Sequence, residues 1–152
     1  SLAEQEGGAY YTLGGSNAPA AIEHLVTQMD LGEPQMALLA ASSLSRPGNA
    51  HARRPLAALL ARGKSENDPQ RIGVAALGLG LVGDASAVKA LDELTRHADR
   101  SVRRAAVVGL YYLTGEARRY RNVWGEEVRF EPTTFHMKMR QETLASASRP
   151  ER

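Results

Sequence analysis

The stretch "RIGVAALGLGLVGD", residues 71–84, aligns without a gap on "RRAAVVGLYYLTGE", residues 103–116. Arg71 meets Arg103, Leu81 meets Leu113 and Gly83 meets Gly115, at a constant offset of 32. "NDPQ" leads into the first and "HADRS" into the second, so each opens on an acid suited to cap a helix. Read alone, Gly78 to Gly83 spells Gly-x-Gly-x-x-Gly, the spacing of a loop that cradles a dinucleotide pyrophosphate. The sibling stretch argues otherwise. It carries Leu110 and Tyr112 where such a loop needs its first two glycines, and only the third persists, as Gly115. That third glycine reads as a helix stop. Gly78 and Gly80 then read as small residues on a helix packed close to its neighbour, each costing about 1 kcal/mol relative to Ala. A nucleotide loop also needs a preceding strand within a βαβ unit, and nothing else in the chain alternates strand with helix.

The repeat extends outward. Glu33-Pro34-Gln35 matches Asp68-Pro69-Gln70 at an offset of 35, and the unit-closing glycines fall at Gly15, Gly48, Gly83 and Gly115. A self-match at this period signals a solenoid of helical hairpins. Each unit opens on a cap residue, runs through an Ala/Leu helix, stops at Gly, and starts again from a polar residue (Asn17, Asn49, Asp84 or Ser86) into a second helix. Ala87, Leu91 and Leu94 form an apolar stripe on one second helix, with Lys89, Glu93 and Arg96 largely off it. A hairpin with two apolar sides cannot cover both alone, whereas stacked neighbours can. The spacing predicts helices over about 4–13, 17–29, 34–45, 50–63, 69–82, 86–97 and 100–114.

Composition agrees. The chain of 152 residues holds 24 Ala and 18 Leu against 9 Val and 2 Ile, a helix-forming balance. With no cysteine, thiolate catalysis, zinc–cysteine sites and disulfides are excluded. No apolar run approaches the roughly 18 residues of a membrane span. The expected location is cytoplasmic, or periplasmic if a leader precedes Ser1. The net charge of +2 conceals an uneven spread: residues 1–48 carry −4 and residues 49–121 carry +6. The basic middle hints at an anionic partner.

The motif Asp68-Pro69…Arg71…Ala75-Ala76-Leu77-Gly78…Gly83-Asp84…Ala87…Leu91…Leu94, with Arg103…Ala105-Ala106…Gly109-Leu110…Gly115, resembles the short HEAT-like repeats first noted in phycobilisome lyases. The resemblance covers about residues 9–115. It implies an all-α fold, a right-handed α-α superhelix of about four hairpins, of the armadillo type. It also implies that second helices line the concave face and that an Arg early in each first helix, here Arg71 and Arg103, faces an acid of an adjacent turn or repeat. Such repeats serve scaffolds, lyases and nucleic-acid enzymes alike, so the resemblance speaks for fold more than for activity.

Site chemistry is sparse. Metal-dependent hydroxylases built from HEAT repeats use repeated His-Glu pairs, and this chain has none; Glu23-His24 is reversed and single. His51, His97 and His136 stand apart from it in sequence, no Gly-x-Ser-x-Gly elbow occurs, and no carboxylate pair suggests acid/base work. The expectation is a protein that is not an enzyme and takes no metal or cofactor. Arg53, Arg54, Lys89 and Arg96 belong to second helices and are the candidate contacts for an acidic surface of another protein. Nucleic acid is the less favoured partner, because base-stacking aromatics are missing from those helices, and a lyase-like enzyme acting on a chromophore is the further alternative.

After Gly115 the pattern changes. The tail holds the only Trp and both Phe. "WGEEVRFEP" reads as irregular with one short strand, and Thr133 or Thr134 as the cap of a helix through Met137, Met139 and Leu144. Solenoids need atypical ends. Trp124, Phe130 and Phe135 are therefore expected either to lie over the last repeat or to dock on a partner or second copy. The chain divides into a solenoid over 1–116, a capping segment of the same domain over 117–145 and a disordered tail over 146–152.

Overall fold

The computed structural model describes residues 34–147, together with 24, 25, 27 and 28. The helix expected over 4–13 and the closing Gly15 lie outside the described residues. Of the helix expected over 17–29, the four described residues are helical, and Leu25 is fully buried.

The fold is mostly helical. In chain order come α1 (Pro34–Leu44), a 3-10 turn (Ala50–Ala52), α2 (Arg53–Ser65), α3 (Pro69–Leu81), a second 3-10 turn (Ala85–Ala87), α4 (Val88–Leu94) and α5 (Arg100–Thr114). Then follow strands β1 (Arg119–Arg121) and β2 (Glu127–Arg129) and a last helix, α6 (Thr134–Ala147). The first helices pack side by side, α1 on α3 and α3 on α5, while α2 packs on α3 and α4 on α5. Their shared core is Ala and Leu with Ile72, Val82 and Val102.

The repeat seen in the sequence is written into the backbone. Gly48, Gly83 and Gly115 take φ of 74°, 79° and 78°, the left-handed region that ends a helix without a Cβ penalty. The residue after the first two has nearly the same dihedrals, −74°/85° at Asn49 and −78°/91° at Asp84. A 3-10 turn follows each, closing on Ala52 (−84°/−10°) and Ala87 (−82°/−8°). Two segments 35 residues apart thus make one turn, each feeding a second helix. First helices open alike as well. Asp68 accepts hydrogen bonds from the amides of Gln70 and Arg71, and Asp99 accepts from those of Ser101 and Val102. Each cap satisfies donors that the first turn would leave orphaned.

Gly80 sits where α3 crosses α5. A Cβ there would lie 2.5 Å from Gly109 Cα and 2.6 Å from Gly109 O, so backbone meets backbone. Gly78 faces Ser45, whose Oγ would be nearest to a Cβ there, and Leu56 of α2, whose Cδ1 would lie 3.0 Å from it. Both glycines of the apparent nucleotide loop are interior helix positions chosen for close approach.

Three expectations need correcting. The second helix expected over 86–97 is helical only to Leu94, because Thr95 to His97 fold into a turn whose amides bond back to Leu91, Asp92, Glu93 and Leu94. The tail contains two strands rather than one, paired antiparallel with Arg119 opposite Arg129, Tyr120 opposite Val128 and Arg121 opposite Glu127. The expected disordered tail began at 146, but α6 runs through to Ala147, because Ser146 is held: its hydroxyl donates to Pro47 O at 3.4 Å. Residues 148–152 lie outside the described residues.

Candidate functional site

The four cations expected on the second helices are all exposed. Arg53 and Arg54 begin α2, and Lys89 is the second residue of α4. At the offset of 35 set by Gly48 and Gly83, Arg54 and Lys89 are equivalent positions, so the repeated turn presents both at the same point of the hairpin. Neither they nor Arg53 make an ion pair with a described residue. Arg96 stands apart. It lies beyond the other end of α4 and pairs with Asp92 at 3.5 Å. The repeated turn therefore makes Arg54 and Lys89 equivalent, with Arg53 next to Arg54 in the chain, and sets Arg96 apart at the far end of α4.

Arg71 and Arg103 diverge. Arg71 pairs with Glu66 and, at 3.5 Å, with Asp68, both in the turn before its own helix. Arg103 contradicts the expected ladder of ion pairs. It is 6% exposed, and its Nη1 donates to the carbonyls of His97 (2.9 Å) and Ala98 (2.8 Å) while Nε donates to Arg121 O (3.0 Å). A buried guanidinium is tolerated where carbonyls replace water. Here it locks the loop before α5 onto β1.

The three tail aromatics also part company. Phe130 is 2% exposed and packs edge-on against Tyr111 of α5, with Arg104 5.5 Å over its ring. Trp124 and Phe135 do not lie over the last hairpin. They are 79% and 64% exposed, because the tip of the β1–β2 hairpin and the outer side of α6 point away from α5. Asn122 Oδ1 accepts from the amides of Trp124 (2.9 Å) and Glu126 (3.0 Å), and Gly125 takes φ of 78°. These bonds hold the backbone of the loop that carries Trp124, and the indole projects into solvent.

Sequence reading missed how α6 is held. It lies across the glycine turns at helical spacing. Arg140 Nε donates to Tyr111 O at the end of α5, Thr143 Oγ1 to Leu81 O at the end of α3 (2.9 Å), and Ser146 Oγ to Pro47 O beside Gly48. Gly48, Gly83 and Gly115 admit this approach; a Cβ on Gly83 would lie 3.3 Å from Thr143 Cγ2. The recurrent glycines were the available signal, and they serve α6 as well as the turns. A second missed contact is Arg118, which pairs with Asp92 of α4 and with Glu116 at 3.5 Å.

The start of α6 carries a titratable cap. Thr133 Oγ1 accepts from His136 N (3.3 Å), and His136 Nδ1 accepts from Thr133 N (3.0 Å), a reciprocal box with His in the place of the usual Glu. Burial among Phe130, Tyr112 and Phe135, and then the nearby Arg104 charge, hold the His136 pKa below its ordinary value. Of the other histidines, His24 and His51 are exposed and His97 Nδ1 accepts from Asp99 N. Among the described residues, no three His, Asp or Glu side chains gather as metal ligands would.

An open groove of about 470 Å³ lies beside the first turn of α5, lined by Ala98, Asp99, Arg100, Ser101, Arg103 and, from the hairpin tip, Val123. Its one carboxylate is already used, since Asp99 accepts from the Ser101 hydroxyl and from two amides. Those bonds, the Ser101 hydroxyl first, hold its pKa below the ordinary value. Comparison with protein-family models, with curated proteins and with solved structures gives no match.

Proposed function

We propose that the chain is a HEAT-like superhelix that binds an acidic surface of another protein along its second helices, without catalysis. The observation that carries this reading is the repeated turn. One backbone conformation, 35 residues apart, delivers Arg54 and Lys89 to equivalent, exposed positions where neither pairs with a described residue. α2 packs on α3, α4 on α5, and α3 on α5, so the two hairpins that carry Arg54 and Lys89 are joined through their first helices. Exposed charge of this kind steers association and sets specificity more than raw affinity. Arg53 adds to this charge, and Arg96 is a weaker contributor because Asp92 already faces it.

A lyase-like reading needs an acid or nucleophile in a deep pocket. The groove by α5 is open, and its Asp99 is consumed as a cap. The binding reading is tested by placing a photo-crosslinker at Ala57, one turn along α2 from Arg53, and capturing partners from native extract. Acid-rich proteins captured by the native chain and lost with R54E/K89E are the expected result. Capture unchanged by the double charge reversal overturns the reading.

A further inference from the structure

We propose that the β1–β2 hairpin is a binding element for single-stranded nucleic acid, with Trp124 stacking on a base and Arg119, Arg121 and Arg129 holding phosphates. The proposal concerns a different surface from the second-helix cations and does not rest on them.

Register carries the argument. Cross-strand partners share a face, so Arg119, Arg129, Arg121 and Glu127 point one way, while Tyr120 and Val128, both half-buried, point the other. The exposed face therefore holds three bases and one acid. Arg119 stands directly opposite Arg129, a like-charge pair that weakens a sheet. A ribbon of two three-residue strands is marginal already. None of the three arginines makes an ion pair or side-chain hydrogen bond with a described residue, so folding does not explain their placement.

The chemistry of the neighbourhood fits a polyanion with flat bases. Arg119 and Arg121 stand about 6.6 Å apart along the strand, close to the phosphate repeat of an extended single strand. Trp124 sits at the tip, its backbone amide held by Asn122 Oδ1 and its ring open to solvent. An exposed aromatic on an anchored loop that joins two basic strands is the kind of arrangement that binds single strands, because every base has a face to stack. The groove behind the tip adds Arg100 and Arg103. Arg103 spends Nε and Nη1 on carbonyls, leaving Nη2 without a hydrogen bond to a described residue. A protein partner would need an apolar rim to shut water away from the indole. Val123 is the one large apolar neighbour in the loop, whose other members are Asn122, Gly125 and Glu126. The second helices lack aromatics for this role; the hairpin supplies one.

Trp124 is the only tryptophan in the chain, so its fluorescence reports its own site. The intact protein is titrated with an oligothymidylate of about 15 nucleotides, the upper range of single-strand footprints. The expected result is saturable quenching, with log affinity falling against log salt at a slope of about −2 for three phosphate contacts. Trp124→Ala is expected to weaken binding of the labelled oligonucleotide about tenfold or more. R119A/R121A/R129A is expected to flatten the salt slope while the circular dichroism of the helices stays unchanged. R54E/K89E is expected to leave binding as it was. Absence of quenching at millimolar oligonucleotide overturns the proposal. So do equal quenching by polyglutamate, full binding by Trp124→Ala, and loss of binding in R54E/K89E, which would move the strand to the second helices.

Discussion

Replacing Gly80 by Ala tests the packing of α3 on α5, the most extensive helix pair among the described residues. Two opposed effects follow. Ala in a helix interior is favoured over Gly by about 1 kcal/mol. Against this, the new Cβ would stand 2.5 Å from Gly109 Cα, whereas carbon atoms rest about 3.5–4.0 Å apart. No rotamer relieves a contact with backbone, so the helices must part by about 1 Å, which forfeits a quarter to a half of the attraction between facing atoms. Overpacking costs about 1–3 kcal/mol, and the rigid contact places this case at the upper end. The net expectation is a loss of about 2 kcal/mol, or a fall in Tm of about 4–8 °C for a domain of this size. Gly73 provides the control on the same helix. Its Cβ would meet only Ala105 Cβ, at 3.7 Å, so Gly73→Ala is expected to stabilise by about 0.5–1 kcal/mol. Both changes alter the unfolded chain alike, so their difference isolates the interface. Urea and thermal unfolding followed by circular dichroism read both. A Gly80→Ala protein as stable as the native one would refute the account of why Gly is there.

Asp99→Ala is expected to cost about 1 kcal/mol through loss of the α5 cap, while Asp99→Asn keeps most of it. Because the folded pKa of Asp99 is depressed, its contribution is present above the ordinary value of 3.8 and lost as pH falls below it; the gap between native and Asp99→Ala unfolding midpoints should narrow there. His136 acts in another window: with a folded pKa below 6.5, the unfolded chain binds its proton first. Stability should fall as pH drops from 7 toward 5, and His136→Gln should flatten that part of the curve in thermal scans. Thr143→Val is expected to cost about 1 kcal/mol by removing the hydrogen bond to Leu81 O, measured by urea unfolding.

Most of the helical framework was legible in the sequence because its signals are local. Asp68 before Pro69, and the closing glycines Gly48, Gly83 and Gly115, mark ends by satisfying or terminating nearby backbone groups. The core side of α4 followed from the spacing of Ala87, Leu91 and Leu94, all buried. The tail was not legible, because its contacts are distant. Nothing near Thr143 in the chain announces that its hydroxyl serves a carbonyl 62 residues earlier. The capping expectation for Trp124 and Phe135 failed for a related reason. Apolar character says that a residue resists water, but whether a strand tip points inward depends on pairing that no short window contains. Among the site residues, helical patterning placed Arg53, Arg54, Lys89 and Arg96 on second helices, while the equivalence of Arg54 and Lys89 came from the repeated turn. The separation of Arg96 depended on where α4 ends, and the carbonyl cradle of Arg103 depended on the course of β1.

Fastening α6 to the ends of α3 and α5 and to the turn after α1 changes how the molecule should come apart. Rows of modules that touch only adjacent modules tend to fray inward from an end, each loss leaving the others standing. A single rod pinned at Tyr111, Leu81 and Pro47 couples loosening at one pin to strain at the others. Melting should then be gathered into one sharp event, and cutting the chain after Gly115 should restore piecemeal unravelling.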